Sequence, residues 1–268
     1  MKIQVGAGGV DLPGFVNVEP RSFGTRSRRG HAADLRFAED GSVTELFNNA
    51  VFEHLYLGQQ VAAIREWARV LAPDGVIVSL GIPDFATIAR LYLDPDARGS
   101  LGPSFDLFEV YRYTHGHPEG TSHVNWSRWR PDRRLNRAPD EWLPQLHKSL
   151  FDVDTVYSLF HGTGLEVAVI RYCHPTDTHA LNLGAIAGHG LVDIDEALSR
   201  IPTIERFVVL PTVERMQPDP ARAGLAGQAV TEHAARVSAL ERMARRARRG
   251  YRTFRAASTR TKPVSAGR

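Results

Sequence analysis

The chain has 268 residues, 43% hydrophobic and 24% charged, an ordinary globular balance that excludes collagen-like, low-complexity and wholly disordered readings. The net charge of +3 is unevenly placed: residues 241–268 carry ten Lys/Arg and one acid, Glu241, for +9, while residues 1–240 carry 23 bases against 29 acids, for −6. A single cysteine, Cys173, excludes an intrachain disulfide and a multi-cysteine zinc site, and with no signal-peptide apolar region after Met1 and no apolar run near the roughly 18 residues of a membrane span, a cytoplasmic location is expected.

Ile3–Val5 is a short apolar run closed by glycines and reads as a buried strand; Phe15–Val18, closed by Glu19-Pro20, reads as a second. Residues 21–30, rich in Arg, Gly and Ser, read as a loop, His31–Leu35 as a short third strand and Val43–Phe47 as a fourth. From Gln59 to Leu71, the residues Val61, Ile64, Trp67/Ala68 and Leu71 share one helical face, with Pro73-Asp74-Gly75 as the stop. Val76–Leu80 is a strongly apolar strand ended by Pro83-Asp84, and Phe85–Leu93 returns to helical spacing. This alternation predicts an α/β fold around a mainly parallel sheet.

Residues 95–146 show no clear period. They hold His115, His117 and His123, with His147 just past the edge, and three of the four tryptophans, Trp126 and Trp129 among them. So long a stretch without periodicity is uncommon in a compact domain unless it is functional, and it reads as an inserted cap over a site. Asp152 then caps a helix to about His161, stopped by Gly162 and Gly164; Val167–Ile170 and Ala180–Ala187 read as the last two strands. Residues 191–227 read as irregular, and Gln228–Ala256 as a long helix with Val230, Ala234, Val237, Leu240/Glu241, Ala244, Ala247, Tyr251 and Phe254 at alternating spacings of three and four. That helix leads into the basic tail. A face docked on its own domain, a homodimer contact, a membrane-surface contact and a nucleic-acid contact are all open for it; the acidic body and the lack of a recognised RNA-binding module disfavour the last.

Three features carry chemistry. Val5-Gly6-Ala7-Gly8-Gly9 follows the first strand, where open α/β sheets bind ligands. The dinucleotide fingerprint needs a glycine where Asp11 stands, which disfavours a nicotinamide cofactor. Glu19, at the end of strand two, can accept both hydroxyls of a ribose, and Asp34, after a short apolar run, can accept from an adenine amino group.

The blocks "VGAGGVDLPGFVNVEP", "HAADLRFAEDGSVTELFNNAVFEHL", "REWARVLAPDGVIVSLGIPD" and "LHKSLFDVDTVYSLFHGTGLEV" resemble, in order and spacing, a class I S-adenosylmethionine-dependent methyltransferase of the type 11-like subgroup, over about residues 1–94 and 146–188. The resemblance implies a Rossmann-like sheet of order 3-2-1-4-5-7-6 with strand seven antiparallel. It implies a methyltransferase domain over 1–190, with 95–146 as the inserted cap, and a C-terminal helical extension over 191–268. It also implies that Gly6, Ala7 and Gly8 line the methionine part of the cofactor and that Glu19 binds the ribose. Asp34 with the Leu35 backbone would meet the adenine, and Asn49 and Ala50 would face the methionine amino group or the sulfonium. Two departures stand out: Glu19 where Asp is usual, and only about six residues between Gly8 and Phe15, too few for a crossover helix.

The acceptor is narrowed by absences. No Asn-Pro-Pro-Tyr motif follows strand four, where the chain reads Asn48-Asn49-Ala50-Val51, and the lone Cys173 lies far from the site edge. Histidines remain: His54 after strand four, His147 before the helix at 152, and His115, His117 and His123 beside Trp126 in the cap. A hydroxyl acceptor needs a positioned base. The expectation is therefore an O-methyltransferase of a small-molecule acceptor, a saccharide or glycosylated metabolite, with His54 or His147 as base, Asp84 at a second substrate-facing edge and the cap residues on the acceptor. The alternatives are a non-catalytic cofactor-binding scaffold and an RNA methyltransferase using the basic tail. Some sugar O-methyltransferases use magnesium, and His54, Asp84, His115 and His117 are the residues that would hold it, but no ligand spacing here is diagnostic, so no metal is assigned.

Overall fold

A computed structural model describes residues 1–7, 10–20, 27–94, 96, 110, 113–114, 146–175, 180–229, 231–232 and 235. In chain order they form β1 (Lys2–Val5), β2 (Phe15–Glu19), β3 (Ser27–Arg29), β4 (Val43–Asn49), a 3-10 turn at Phe52–His54, α1 (Leu57–Val70), β5 (Leu71–Pro83), α2 (Phe85–Leu93), α3 (Val153–His161), β6 (Glu166–Tyr172), β7 (Asn182–Gly188), α4 (Ile194–Ser199) and β8 (Glu214–Met216). The sheet order is β3-β2-β1-β4-β5-β7-β6-β8. Strands β1 to β5 pair in parallel, and β7 runs antiparallel to both β5 and β6. The expected Rossmann-like order is thus present, with β8 added antiparallel on the outer edge of β6.

Because side chains alternate across a sheet, neighbouring residues feed two cores. Leu46, Ile77, Val169, Ala185 and Ala187 face one, with Trp67 of α1 and Phe160 of α3. Phe47, Val76, Val78, Ile170 and Ile186 face the other, with Ala197 and Leu198 of α4 and with Ile201 and Phe207. Residues 191–216, expected to be irregular, therefore contain the helix, the strand and the apolar side chains that cover the second face.

Among the described residues of the turn from β1 to β2 there is no helix. The buried amide of Gln4 replaces it: its Nε2 donates to the Val10 carbonyl (2.8 Å) and its Oε1 accepts from Leu12 N–H (3.1 Å). Leu12 is seated in the second core.

Two expectations need correction. The third strand is Ser27–Arg29 rather than His31–Leu35. Residues 31–38 turn instead (Asp34 N–H to the His31 carbonyl, 2.9 Å; Ala38 N–H to the Leu35 carbonyl, 2.8 Å). Four of their backbone groups are met by α1 side chains: Glu66 accepts from Leu35 N–H (2.9 Å), Trp67 donates to the Ala32 carbonyl (2.8 Å) and Arg69 donates to the carbonyls of Leu35 and Ala38. The C-terminal helix begins at residue 220, not 228. Pro220 fits a first helical position, and the Asp219 side chain accepts from Ala221 N–H (2.9 Å). This helix sits on α3 through Ser158 Oγ to the Ala223 carbonyl (2.7 Å) and Arg222 to Asp152 and Asp154. The basic segment 241–268 and most of the cap lie outside the described residues. Among the described residues no helix is long and apolar enough to cross a membrane.

One ion pair ties β5 to β6 across the intervening β7. Asp84 has no exposed surface; its Oδ2 accepts from Arg171 Nη2 (2.7 Å) and Thr87 Oγ1 (2.7 Å), and its Oδ1 accepts from Thr87 N–H (3.3 Å), capping α2. Removing one partner of a buried pair leaves an uncompensated charge. Arg171→Met is expected to cost about 3 kcal/mol in denaturant unfolding, with part recovered in Arg171→Met/Asp84→Asn; an unfolding midpoint unchanged by Arg171→Met would contradict this.

Candidate functional site

Parallel pairing sends the carboxyl ends of β1, β2, β4 and β5 to one edge of the sheet, the edge at which open α/β sheets bind ligands. The register lines up Val18, Val5, Asn48 and Ser79, so Glu19, Gly6, Asn49 and Leu80 come next, at the rim.

At that rim the backbone is closely fitted. Gly6 has φ +69°, and a Cβ on it would lie 2.4 Å from a Val51 methyl; only glycine tolerates both the left-handed backbone and the contact. Gly81, also left-handed at φ +73°, faces Ala50 N at 2.5 Å from where its Cβ would be. Ala50 itself is left-handed at φ +54° and donates its N–H to the Leu80 carbonyl (3.0 Å). Such strain in a non-glycine residue is held only where the surroundings fix it.

Glu19 is buried, 4% exposed, at the carboxyl end of β2. Ser79 Oγ donates to Asn48 Oδ1 (2.8 Å), while Asn48 Nδ2 and Asn49 Oδ1 are buried without a hydrogen-bond partner. Buried polar atoms are normally satisfied. An orphan acceptor beside a left-handed glycine and a buried carboxylate suits the ammonium and ribose of an amino-acid-bearing nucleoside, so the residues present fit S-adenosylmethionine. Ala7 is buried in the same turn; Gly8 lies outside the described residues. Asp34 is half-exposed and gripped by Arg36 through two bonds of 2.7 Å, which hold its carboxyl below the usual range, and Leu35 N–H is given to Glu66.

Next to Asn49–Ala50, the turn at Phe52–His54 presents the titratable groups. Phe52 is locked edge-on to Trp67 (5.4 Å). Lys148 pins the turn to the chain before α3: its N–H donates to the Glu53 carbonyl (2.6 Å) and its ammonium to the carbonyls of His54 (2.9 Å) and Leu146 (3.2 Å). His147 and His54, from distant parts of the sequence, thereby meet with ring centroids 5.0 Å apart. His54 Nδ1 lies 3.4 Å from the Leu146 carbonyl and His147 Nδ1 2.9 Å from the Tyr113 carbonyl, which sets each Nδ1 as donor and leaves the ring lone pair on Nε2. Glu53 is buried, with Oε1 3.7 Å from His54 Nε2 and Oε2 unpartnered. Burial pushes its carboxyl up to about 8, so it keeps its proton at neutral pH, and burial lowers the pKa of His54, keeping that ring neutral.

Of the residues nominated from sequence, Glu19, Gly6, Asn49 and Ala50 stand at this rim, and His54 and His147 meet at the turn that follows it in the chain. Asp84 stands at the end of β5 with its carboxylate held by Arg171 and Thr87. His115, His117, His123 and Trp126 lie outside the described residues. Glu53 was visible only as the neighbour of His54; its burial depends on how the turn packs, which no spacing reveals. The magnesium alternative gains no support, since the carboxylate it relies on is Asp84.

Residues 10–79 match the methyltransferase domain family described as "Methyltransferase domain". That match spans about a quarter of the chain and, together with the sheet order, supports a class I S-adenosylmethionine-dependent methyltransferase with S-adenosylmethionine as cofactor. Similar solved structures include an S-adenosylmethionine-dependent methyltransferase of Thermotoga maritima described as a possible histamine N-methyltransferase (12% identity, 70% of this chain and 81% of that one, TM-score 0.42). Others are methyltransferases from Clostridium acetobutylicum (6%, 71% and 84%, 0.42) and Methanosarcina mazei (14%, 71% and 92%, 0.40). No curated protein sequence matches the chain.

The Gly6–Val51 contact gives a direct test of the rim. Gly6→Ala is expected to destabilise the chain by about 2 kcal/mol through overpacking and to weaken S-adenosylhomocysteine binding, with stability partly restored in Gly6→Ala/Val51→Ala. An unfolding curve unaffected by Gly6→Ala would show that the two loops are not packed as described.

Proposed function

We propose that the chain methylates a hydroxyl of a small molecule, a saccharide or glycosylated metabolite, with the His54–His147 pair taking the proton. The observation that carries this reading is the meeting of two histidines at the turn that follows Asn49–Ala50 in the chain, after the strand whose end is expected to face the cofactor. S-adenosylmethionine, when bound, supplies an electrophilic methyl on a positively charged sulfur.

The chain's own residues would do the rest. Glu19 holds the ribose hydroxyls, Gly6 and Ala7 with Gly8 border the methionine part, and Asn49 Oδ1 accepts from the ammonium. Asp34 and Leu35 lie towards the adenine end. The acceptor oxygen forms its new bond to the methyl carbon as the carbon–sulfur bond breaks, and the hydroxyl proton passes to a ring Nε2. A neutral His54 is in the right state for this, and its Nδ1 bond to the Leu146 carbonyl fixes which nitrogen is basic. Alignment supplies the larger part of such a displacement, and a positioned base adds about 10²–10⁴-fold. The residue types of the expected cap, His115, His117, His123 and Trp126, suit the polar and apolar faces of a sugar.

With labelled cofactor and a panel of sugar and glycolipid acceptors, a methyl ether is the expected product. The His54→Ala/His147→Ala double variant is expected to lose turnover by about 10²–10⁴-fold while still binding cofactor. Full activity in that variant would contradict the histidine base.

A further inference from the structure

We infer that Glu53, His54 and His147 form a binding site for a divalent transition-metal ion of the zinc type, whose occupancy blocks proton transfer.

One carboxylate oxygen of Glu53 and one ring nitrogen of each histidine all lie within 4.8 Å of one another. A tetrahedral zinc with bonds near 2.0–2.1 Å sets its ligand atoms about 3.4 Å apart, so small rotations of the two imidazoles close the set. Three further observations single this cluster out from a chance grouping. Glu53 is 2% exposed and its Oε2 has no hydrogen-bond partner; a buried carboxyl oxygen left unpartnered is a cost, and a bound cation removes it by displacing the Glu53 proton to solvent. Both histidines point Nδ1 at a backbone carbonyl, Leu146 for His54 and Tyr113 for His147, the outer contact that orients metal-binding imidazoles and directs Nε2 to the ion. The nearby cation, Lys148, is committed to the carbonyls of His54 and Leu146, so its charge holds the loop rather than filling the site.

Two imidazoles and one carboxylate suit zinc and its first-row neighbours, whereas magnesium prefers an all-oxygen set. Three protein ligands leave a fourth position for water. An ion there uses the ring lone pairs, so it competes with the acceptor's proton. This last consequence rests on the histidine-base reading; the binding site itself does not.

The test titrates zinc chloride into the chelator-treated full-length chain by calorimetry, and follows methyl transfer in parallel. One equivalent is expected to bind, and Glu53→Gln, His54→Ala and His147→Ala are each expected to weaken it by roughly tenfold or more. Cys173→Ser should bind as the parent does, which excludes a thiol site. S-adenosylhomocysteine binding by each variant checks that it is folded. Absence of zinc binding by the parent chain, or binding unchanged in all three folded variants, overturns the site. Zinc bound in the predicted way but with methyl transfer accelerated retains the site and overturns the base reading.

Discussion

The rim depends on the seating of Val51 against Gly6. The chain leaves β1 and β4 side by side because the two strands pair in parallel. A left-handed Gly6 leaves room for a Val51 methyl where any side chain would stand. From that contact the rest of the rim follows: Ala50 is bent into its left-handed conformation against Gly81, Asn49 is left with a buried orphan acceptor, and the Phe52–His54 turn is aimed at the chain entering α3.

Burial sets the chemistry available at that turn. Glu53 is deep enough to stay protonated at neutral pH, and His54 is deep enough to stay neutral. A neutral imidazole held by a backbone carbonyl can take a proton or ligate an ion, and the two uses exclude each other. The ammonium of Lys148 serves a third purpose, bonding two carbonyls and so fixing the approach of His147 to His54.

The fold was legible where side-chain period and burial coincide. Helix α2 falls on Phe85–Leu93 and α3 ends at His161, as their apolar spacing and, for α3, the cap Asp152 indicate. Strand β3 escaped because an edge strand of Ser-Arg-Arg has no apolar signature, while the apolar His31–Leu35 run is buried by turns and by α1 side chains instead. Strand β8 is likewise a short polar edge, Glu-Arg-Met. At the site, His54 and His147 stood out as residue types, but their meeting needs the Lys148 staple. The commitment of Asp84 to Arg171 needs β7 to run antiparallel between β5 and β6. Such long-range partners leave no local trace.

We propose that the rim of β1, β2 and β4 holds the adenosyl and methionine parts of the cofactor, apart from the histidine pair proposed for the acceptor. Calorimetric titration of S-adenosylhomocysteine into the full-length chain tests this most directly. One equivalent should bind, with affinity sharply weakened by Glu19→Gln and nearly unchanged by His54→Ala/His147→Ala. Failure of the parent chain to bind, or full affinity in Glu19→Gln, would contradict it.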